Sequence, residues 1–345
     1  MESTEAIEGG GGRGHAGPAE MPRRFLAPVV GGLVLLIALL GLVGTAIRDP
    51  RPHDIPVGLV GPAPAVQQIS SAFGTNAPGA FQFTTYGSEA DARSAVDSRS
   101  VDGVLVVGGA SPRLIVAGAA GDAETGIITA AFTNVFQAQG ATLDIETVHP
   151  FASGDAHGLI LFFVVVAVII SALVTQALLF GAAASAGFTA RLTVVIVFAV
   201  LAGLTAMGGA AWIAGDYGSG FWAATGLVML AAAAVGALVA GSARLLGAAG
   251  IGLSALVVVL LDLVSSGGPA GSQLLPDFYR ALAPWMPADS LYSSLRGALY
   301  FDGAGTLGPI GVLAAWLGAG IVLLWAGQVV ASRRRSSVAA VPAST

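Results

Sequence analysis

The sequence predicts an α-helical polytopic membrane protein with six transmembrane helices and a small α/β domain inserted between helices one and two. Three observations predict this fold. Apolar stretches long enough to cross the roughly 30 Å hydrocarbon core recur along the 345 residues. Only 10% of the residues are charged, against about 25% in soluble domains, and the mean hydropathy is +0.81. One long polar segment with alternating strand and helix patterns follows the first apolar stretch.

The apolar stretches divide the chain into spans, tails and domains. The predicted spans are 25–47, 158–181, 192–214, 221–243, 245–265 and 309–331. We expect a disordered cytosolic tail over 1–22, helix one over 23–47, the α/β domain over 48–157, five helices within 158–331 and a cytosolic tail over 332–345. A cleaved signal peptide is the alternative for span one. An uncleaved anchor fits better, because the apolar run exceeds the roughly 7–15 residues of a signal h-region.

Arginine predicts the orientation. One set of span ends carries Arg23, Arg24, Arg191, Arg244 and Arg333 to Arg335. The opposite connection at 215–220 has no arginine, and the two arginines within 266–308 are accompanied by three aspartates. Positive charge collects at cytoplasmic span ends. We therefore expect both termini in the cytosol and residues 48–157 on the outside of the plasma membrane.

The polar segment reads as a series of short strands and helices. Ser88 is expected to cap a helix, because serine is a preferred N-cap and acidic residues follow it. The predicted strands are Ile55–Val60, Phe81–Tyr86, Gly103–Val107, Arg113–Ala117 and Thr142–Val148, and the helices are Ala63–Phe73, Glu89–Asp97 and about Ala123–Gln139. This order predicts one α/β layer. No set of polar residues in it points to a binding pocket.

Small residues and one acid characterise the spans. Small residues at every fourth position predict close packing between helices of this chain, more than a dimer face. They are Ala232, Gly236, Ala240, Ala233, Ala237 and Gly241 in span four, and Gly311, Ala315 and Ala319 in span six. Asp262 is the one acid within a span and a possible intramembrane polar site. Because it lies one turn from the end of span five, an interfacial or helix-breaking role is favoured over a translocation site.

Segment 266–308 is expected to form an outer hairpin that acts as a lid between spans five and six. Pro276 opens a short helix through Ala283, and the prolines around Trp285 break it. After Pro287, a second helix is expected to begin at a cap formed by Asp289 or Ser290. Its apolar stripe is Leu291, Leu295 and Leu299. Aromatic side chains are expected at headgroup depth, namely Tyr279, Trp285, Tyr292, Tyr300 and Phe301.

The composition excludes several function classes. The chain has no lysine, and a Walker A loop requires one, so the chain does not hydrolyse ATP by that route. It has no cysteine, no HExxH and no GxSxG, and its net charge of −5 includes no basic block suited to nucleic acid. We expect no enzyme activity and no cofactor. A metal site can be drawn from Asp144, Glu146, His149, Asp155 and His157, but their spacing matches no known ligand set, and a solvated strand end is favoured.

A resemblance rests on the residues of the hairpin. They are Leu274-Leu275-Pro276, Phe278-Tyr279, Pro284-Trp285-Met286-Pro287, Leu295-Arg296 and Tyr300-Phe301-Asp302-Gly303. This string, with the layout of one span, a domain and five spans, resembles ABC exporter permeases of the second exporter type. Among them it is most similar to the phage-infection-protein-like group, although the domain is short and lacks long helical insertions.

The resemblance implies a permease half that forms a homodimer or heterodimer and exports a substrate with a separate ATP-binding subunit. It also implies that the loop 182–191, with Phe188 and Arg191, contacts that ATPase; anchoring of Arg191 to lipid headgroups is the alternative. A second function class is a non-transporting membrane protein whose outer domain binds or scaffolds components of the cell envelope.

Overall fold

The computed structural model describes residues 23–48, 50–109, 111–182 and 186–339. The predicted tail over 1–22 and the last part of the predicted C-terminal tail lie outside this part. Six helices are long and apolar enough to cross a membrane, as predicted. They are Val29–Ala46, Leu159–Ala182, Phe188–Ala214, Gly218–Leu246, Ala248–Ala270 and Leu307–Arg333. The chain is therefore a multi-pass membrane protein by the length and composition of its helices.

The first helix, α1 (Arg23–Ile47), is divided between two compact units of the structure. Up to Leu40 it belongs to a unit of its own, in which Leu33, Val34 and Ile37 are exposed. Its last residues belong to the second unit, which contains all the remaining elements.

A five-stranded sheet with helices on it confirms the predicted strand and helix series. The strands are β1 (Ile55–Val60), β2 (Phe81–Tyr86), β3 (Gly103–Val106), β4 (Arg113–Ala117) and β5 (Asp144–Val148), in the order β2-β1-β3-β4-β5. The helices are α2 (Ala63–Asn76), α3 (Glu89–Asp97) and α4 (Asp122–Ala138). Only β3 and β4 are antiparallel, with Leu105 opposite Leu114. The Ser88 side chain accepts a hydrogen bond from Asp91 N, as expected of an N-cap.

Both faces of this sheet are covered, as is usual where parallel strands predominate. Val57, Leu59 and Leu105 face a core that includes Phe73 of α2 and Phe132 of α4. The alternate residues, including Val104 and Ile115, face a second core with Ala92 and Val96 of α3. Phe301, far along the chain, belongs to that second core. The sheet is therefore attached to the helical part of the protein through its α3 face.

The remaining helices form a bundle around α7. They are α5 (Leu159–Ala182), α6 (Phe188–Ala214), α7 (Phe221–Leu246), α8 (Ala248–Ala255), α9 (Asp262–Ser265), α10 (Asp277–Leu282), α11 (Pro287–Tyr300) and α12 (Leu307–Ala339). The fifth candidate span is irregular, because a π-helical segment at Leu256–Leu261 joins α8 to α9. Most of α7 is buried, and all the small residues predicted to pack on it are buried or half-buried.

The small-residue stripe predicted for span six is wrong. Gly311, Ala315 and Ala319 are exposed in the described structure. The helix α12 instead packs through Leu313, Gly320 and Leu324, which lie on another face. A Cβ atom at Gly241 would lie 2.7 Å from the carbonyl oxygen of Gly320, so the two helix backbones are in direct contact there. Within α12, the packed face carries Gly320 and Gly327 among leucines and no run of small residues at every fourth position, so this spacing does not identify the packed face.

The predicted hairpin forms as α10 and α11, but three details differ. Pro276 is the N-cap of α10, and α11 begins at Pro287 with Met286 as its N-cap, so neither Asp289 nor Ser290 caps it. Leu291 and Leu295 are fully buried and Leu299 is partly buried, all in the core of the bundle. Among the aromatic side chains expected at headgroup depth, Trp285 is exposed, whereas Tyr279, Tyr292 and Phe301 are buried within the protein.

Candidate functional site

A charged cavity of about 290 Å³ lies between the sheet region and the helix α11. Arg99 and Asp102 reach it from the turn after α3, Glu124 from the first turn of α4, and Asp289 and Arg296 from α11. Tyr292 and Gln273 also line this space, which we call the charged cavity. The sequence predicts no such site, because its residues come from segments far apart in the chain.

The two arginines connect the sheet region to α11. Arg99 donates from Nη1 to the Ser293 carbonyl oxygen at 2.9 Å and from Nη2 to Ser293 Oγ at 3.2 Å. In the opposite direction, Arg296 of α11 donates to the carbonyl oxygen of Ala120. The guanidinium of Arg296 also lies 4.7 Å from the centroid of the Tyr292 ring, a cation–π contact. The two arginines thus join the sheet region and α11 at the cavity.

Glu124 is enclosed and incompletely paired. Its side chain is 4% exposed, and its Oε2 has no hydrogen-bond partner among the described residues. Gly121 and Gly271 pack against the carboxylate so closely that a Cβ atom at either position would collide with it. Gly271 has a φ of 82°, a left-handed conformation that favours glycine. Two glycines from different segments therefore make the space that the carboxylate occupies.

Two further polar atoms beside Glu124 are also unpaired. The Oε1 atom of Gln273 and the Nε atom of Arg296 are buried and make no hydrogen bond within the part of the chain described. Most buried polar groups in proteins have a partner, so each exception requires an explanation. Two acceptors and one donor are thus left over, among the described residues, on side chains that line one cavity.

Burial shifts the ionisation of the cavity carboxyls. Burial raises the pKa of Glu124 to about 7, although the positive charge of Arg296 opposes the shift. Burial also raises the pKa of Asp102 and of Asp289 to about 6 each, again opposed by Arg296 and then by Arg99. The pKa of Arg99 falls to about 10 through burial and the nearby Arg296. The cavity carries three acids and two bases, so the acids are in excess.

Asp262 acts as a remote helix cap. It is fully buried, and its Oδ1 accepts a hydrogen bond of 2.7 Å from the backbone N–H of Ala288, in the first turn of α11. The four first N–H groups of a helix have no partner within that helix, so a side-chain acceptor oxygen there is stabilising. Asp262 therefore fixes α11 to the fifth span, a structural role near the end of the span. Its Oδ2 makes no hydrogen bond to any described residue.

Phe188 and Arg191 lie in the first turn of α6 and not in a loop, because that helix begins at Phe188. The predicted connection is correspondingly shorter, and residues 183–185 within it lie outside the described structure. Phe188 packs partly against Val195 and Leu324. Arg191 is 8% exposed and donates from Nε to the carbonyl oxygen of Ala186 at 3.2 Å. It lines a groove of about 550 Å³ with Phe180, Arg244 and Gly247.

The five residues of the possible metal site are paired with other groups, and Arg113 lies within 4.0 Å of both Asp144 and Glu146. His149 pairs with Asp97, His157 with Asp122, and Glu146 with Arg93. Asp155 accepts hydrogen bonds from the first backbone N–H groups of α5, at Ile160 and Leu161. Within the described ranges, no group of three or more His, Cys, Asp or Glu side chains is arranged to hold a metal ion.

Comparison of the chain with models of protein families, with curated proteins and with solved structures finds no match in any of the three. The site must therefore be interpreted from its own geometry and chemistry.

Proposed function

We propose that this chain is the permease subunit of an ABC-type exporter of the second exporter type. It moves a substrate with energy supplied by a separate ATP-binding subunit. The observation that supports this proposal best is the α10–α11 hairpin between the fifth and sixth spans. Its Leu291 and Leu295 pack in the bundle core, and the residues on which the family resemblance rests lie in these helices and directly beside them.

The hairpin, predicted as a lid between spans five and six, also contacts the end of the first span. Tyr279 of α10 donates to the carbonyl oxygen of Leu42 at 3.0 Å, and its hydroxyl lies 2.8 Å from Thr45 Oγ1. In the turn between α10 and α11, the carbonyl oxygen of Trp285 accepts a hydrogen bond of 2.8 Å from Trp316 of α12. We infer that the hairpin lies at the outer side, with the sheet region beyond it and both termini in the cytosol of a cell whose plasma membrane the chain crosses.

In this proposal the ATPase docks at the groove lined by Phe180, Arg191, Arg244 and Gly247. Its arginines occupy the span ends that the positive-inside rule assigns to the cytoplasm. Phe188, half-buried at the start of α6, contributes an apolar side chain, whereas the buried Arg191 acts by holding the start of α6 in place. A second permease half completes the transporter, and the exposed stripe Gly311, Ala315 and Ala319 is suited to close helix contact with it.

The test is co-purification of an ATP-binding protein with this chain. We expect the double variant Phe188→Ala with Arg191→Ala to insert normally and to lose that partner. The single variant Arg191→Lys keeps the charge and serves as a control for folding, since Arg191 is largely buried. The proposed function would be contradicted if the double variant still co-purified with the ATPase. It would also be contradicted if no ATPase co-purified with either the wild-type chain or the variant.

The second candidate is a non-transporting protein that binds or scaffolds components of the cell envelope. One observation favours it: β5 is an edge strand with Ile145 exposed, beside an open groove of about 690 Å³ between β5 and α4. An exposed sheet edge can accept an added strand from a partner. Loss of a co-purifying envelope protein on Ile145→Asp, with no ATPase found, would favour this second function.

A further inference from the structure

We propose that the charged cavity binds a small organic molecule with a primary ammonium group and a nearby hydrogen-bond acceptor, the chemical class of the amino alcohols. This inference is independent of transport. It rests on the charge of the cavity, its three unpaired polar atoms and its size.

The charges favour a cation. Asp102, Glu124 and Asp289 face only two arginines, Arg99 and Arg296, so the ionised cavity has a net negative charge. An unbalanced charge away from bulk water is costly unless it is paired. A monovalent cation restores neutrality, whereas an anion increases the imbalance. The cavity should therefore select against carboxylates and phosphate esters, including a phospholipid headgroup.

The unpaired atoms define the shape of the ligand. An ammonium group has three donors and no acceptor, which matches Glu124 Oε2 and Gln273 Oε1. The Arg296 Nε–H remains, and it requires an acceptor on the ligand, such as a hydroxyl oxygen. At about 290 Å³ the cavity is at the small end of ligand sites, which range over roughly 300–1,000 Å³. A molecule with few heavy atoms meets these three requirements together.

Protons should compete with the ligand. Glu124 faces Arg296, Asp102 and Asp122, and its pKa of about 7 means that it loses its charge as the pH falls below neutrality. A carboxyl pKa that is raised in the folded state stabilises the protein below the ordinary pKa, and this stabilisation is lost as the pH rises through about 7. Without ligand, this contribution of Glu124 to stability is thus smallest at alkaline pH, where the ionised cavity binds an ammonium group most strongly.

The experiment is thermal unfolding and calorimetric titration of the full chain in detergent with ethanolamine as the probe. We expect a saturable rise in Tm at pH 8 and an apparent affinity weaker by on the order of tenfold at pH 5.5. Two matched control probes are used. Ethanol lacks the ammonium group, and O-phosphoethanolamine keeps it but adds a negatively charged phosphate. Neither should raise Tm at pH 8.

Variants locate the effect in the cavity. Glu124→Gln removes the charge with little change in size and should abolish the ethanolamine effect. Asp144→Asn makes the same kind of change on the exposed side of β5 and should leave it intact. If Glu124→Gln does not fold, Gln273→Ala should weaken binding severalfold. The proposal is overturned if wild-type protein gives no saturable heat with ethanolamine, if O-phosphoethanolamine acts equally, or if the cavity variants respond like wild type.

Discussion

A single carboxylate fixes the position of α11. Asp262 belongs to the fifth candidate span, yet its hydrogen bond goes to Ala288, twenty-six residues further along the chain. The residues that could cap the helix locally, Asp289 and Ser290, lie within its first turn. Capping interactions of this kind are worth about 0.5–2 kcal/mol, and a buried N–H that loses its partner costs about 1–3 kcal/mol.

We therefore expect Asp262→Ala to lower the thermal stability of the purified protein clearly, and Asp262→Asn to lower it less. The asparagine keeps an acceptor oxygen for the Ala288 N–H, whereas the alanine leaves that donor buried and unpaired. Thermal unfolding in detergent measures the difference, with Asp144→Ala on an exposed strand as a control. Equal losses for the two Asp262 variants would show that the hydrogen bond contributes little.

The helix α11 is an element of the core. Leu295 is fully buried in the cluster that also contains Val168 of α5 and Val228 of α7. Burial of a leucine is worth about 1.5–3 kcal/mol, and an unpaired charge in its place costs more.

We expect Leu295→Asp to reduce the yield of folded, monodisperse protein severely, because the new carboxylate would have no water or partner. Size-exclusion chromatography and thermal unfolding measure this. The matched control is Phe278→Asp on α10, where the residue is 63% exposed and the new charge displaces no packed side chain. Near-normal folding of Leu295→Asp would mean that α11 is not packed as the structure shows.

Strands and helix ends were predictable from the sequence where residues close in the chain determine them. Alternating apolar residues locate the strand Phe81–Tyr86, and Ser88 with its acidic neighbours locates the start of α3. The Asp262 cap and the charged cavity depend on chain segments that meet only in the fold. Arg99 and Ser293 are an example: nothing local to either residue indicates their contact. The acid Glu124 even resembles an ordinary first-turn residue, although it is buried.

At the scale of the whole molecule, the distribution of arginine predicts how the chain crosses the membrane. Arg191 and Arg244 lie close enough that the two side chains interact electrostatically. Both therefore lie at the same end of the bundle, as the predicted orientation requires.

C-terminal reporter fusions test that orientation. Fusions after Arg191 and Arg244 should report a cytosolic location, and fusions after Asp122 and Ser272 an external one. A cytosolic signal at Asp122 would reverse the topology and remove the basis for an outer domain. The pair at Asp122 and Arg191 serves as an internal control, since one span separates the two sites in the predicted topology.

The contact between Gly241 and Gly320 limits how the bundle can move. It is continued by Gly327, where a Cβ atom would lie 2.7 Å from Arg244 Cγ, and by a hydrogen bond of 3.1 Å from Arg244 to Gln328. Two helices packed this closely cannot slide past each other without steric collision, so we expect α7 and α12 to move together. Bending must then occur where the backbone is irregular. The π-helical turn at Leu256–Leu261 lies directly before Asp262, and glycines with left-handed backbone conformation follow it at 267, 268 and 271. We therefore expect the fifth span to bend on both sides of Asp262.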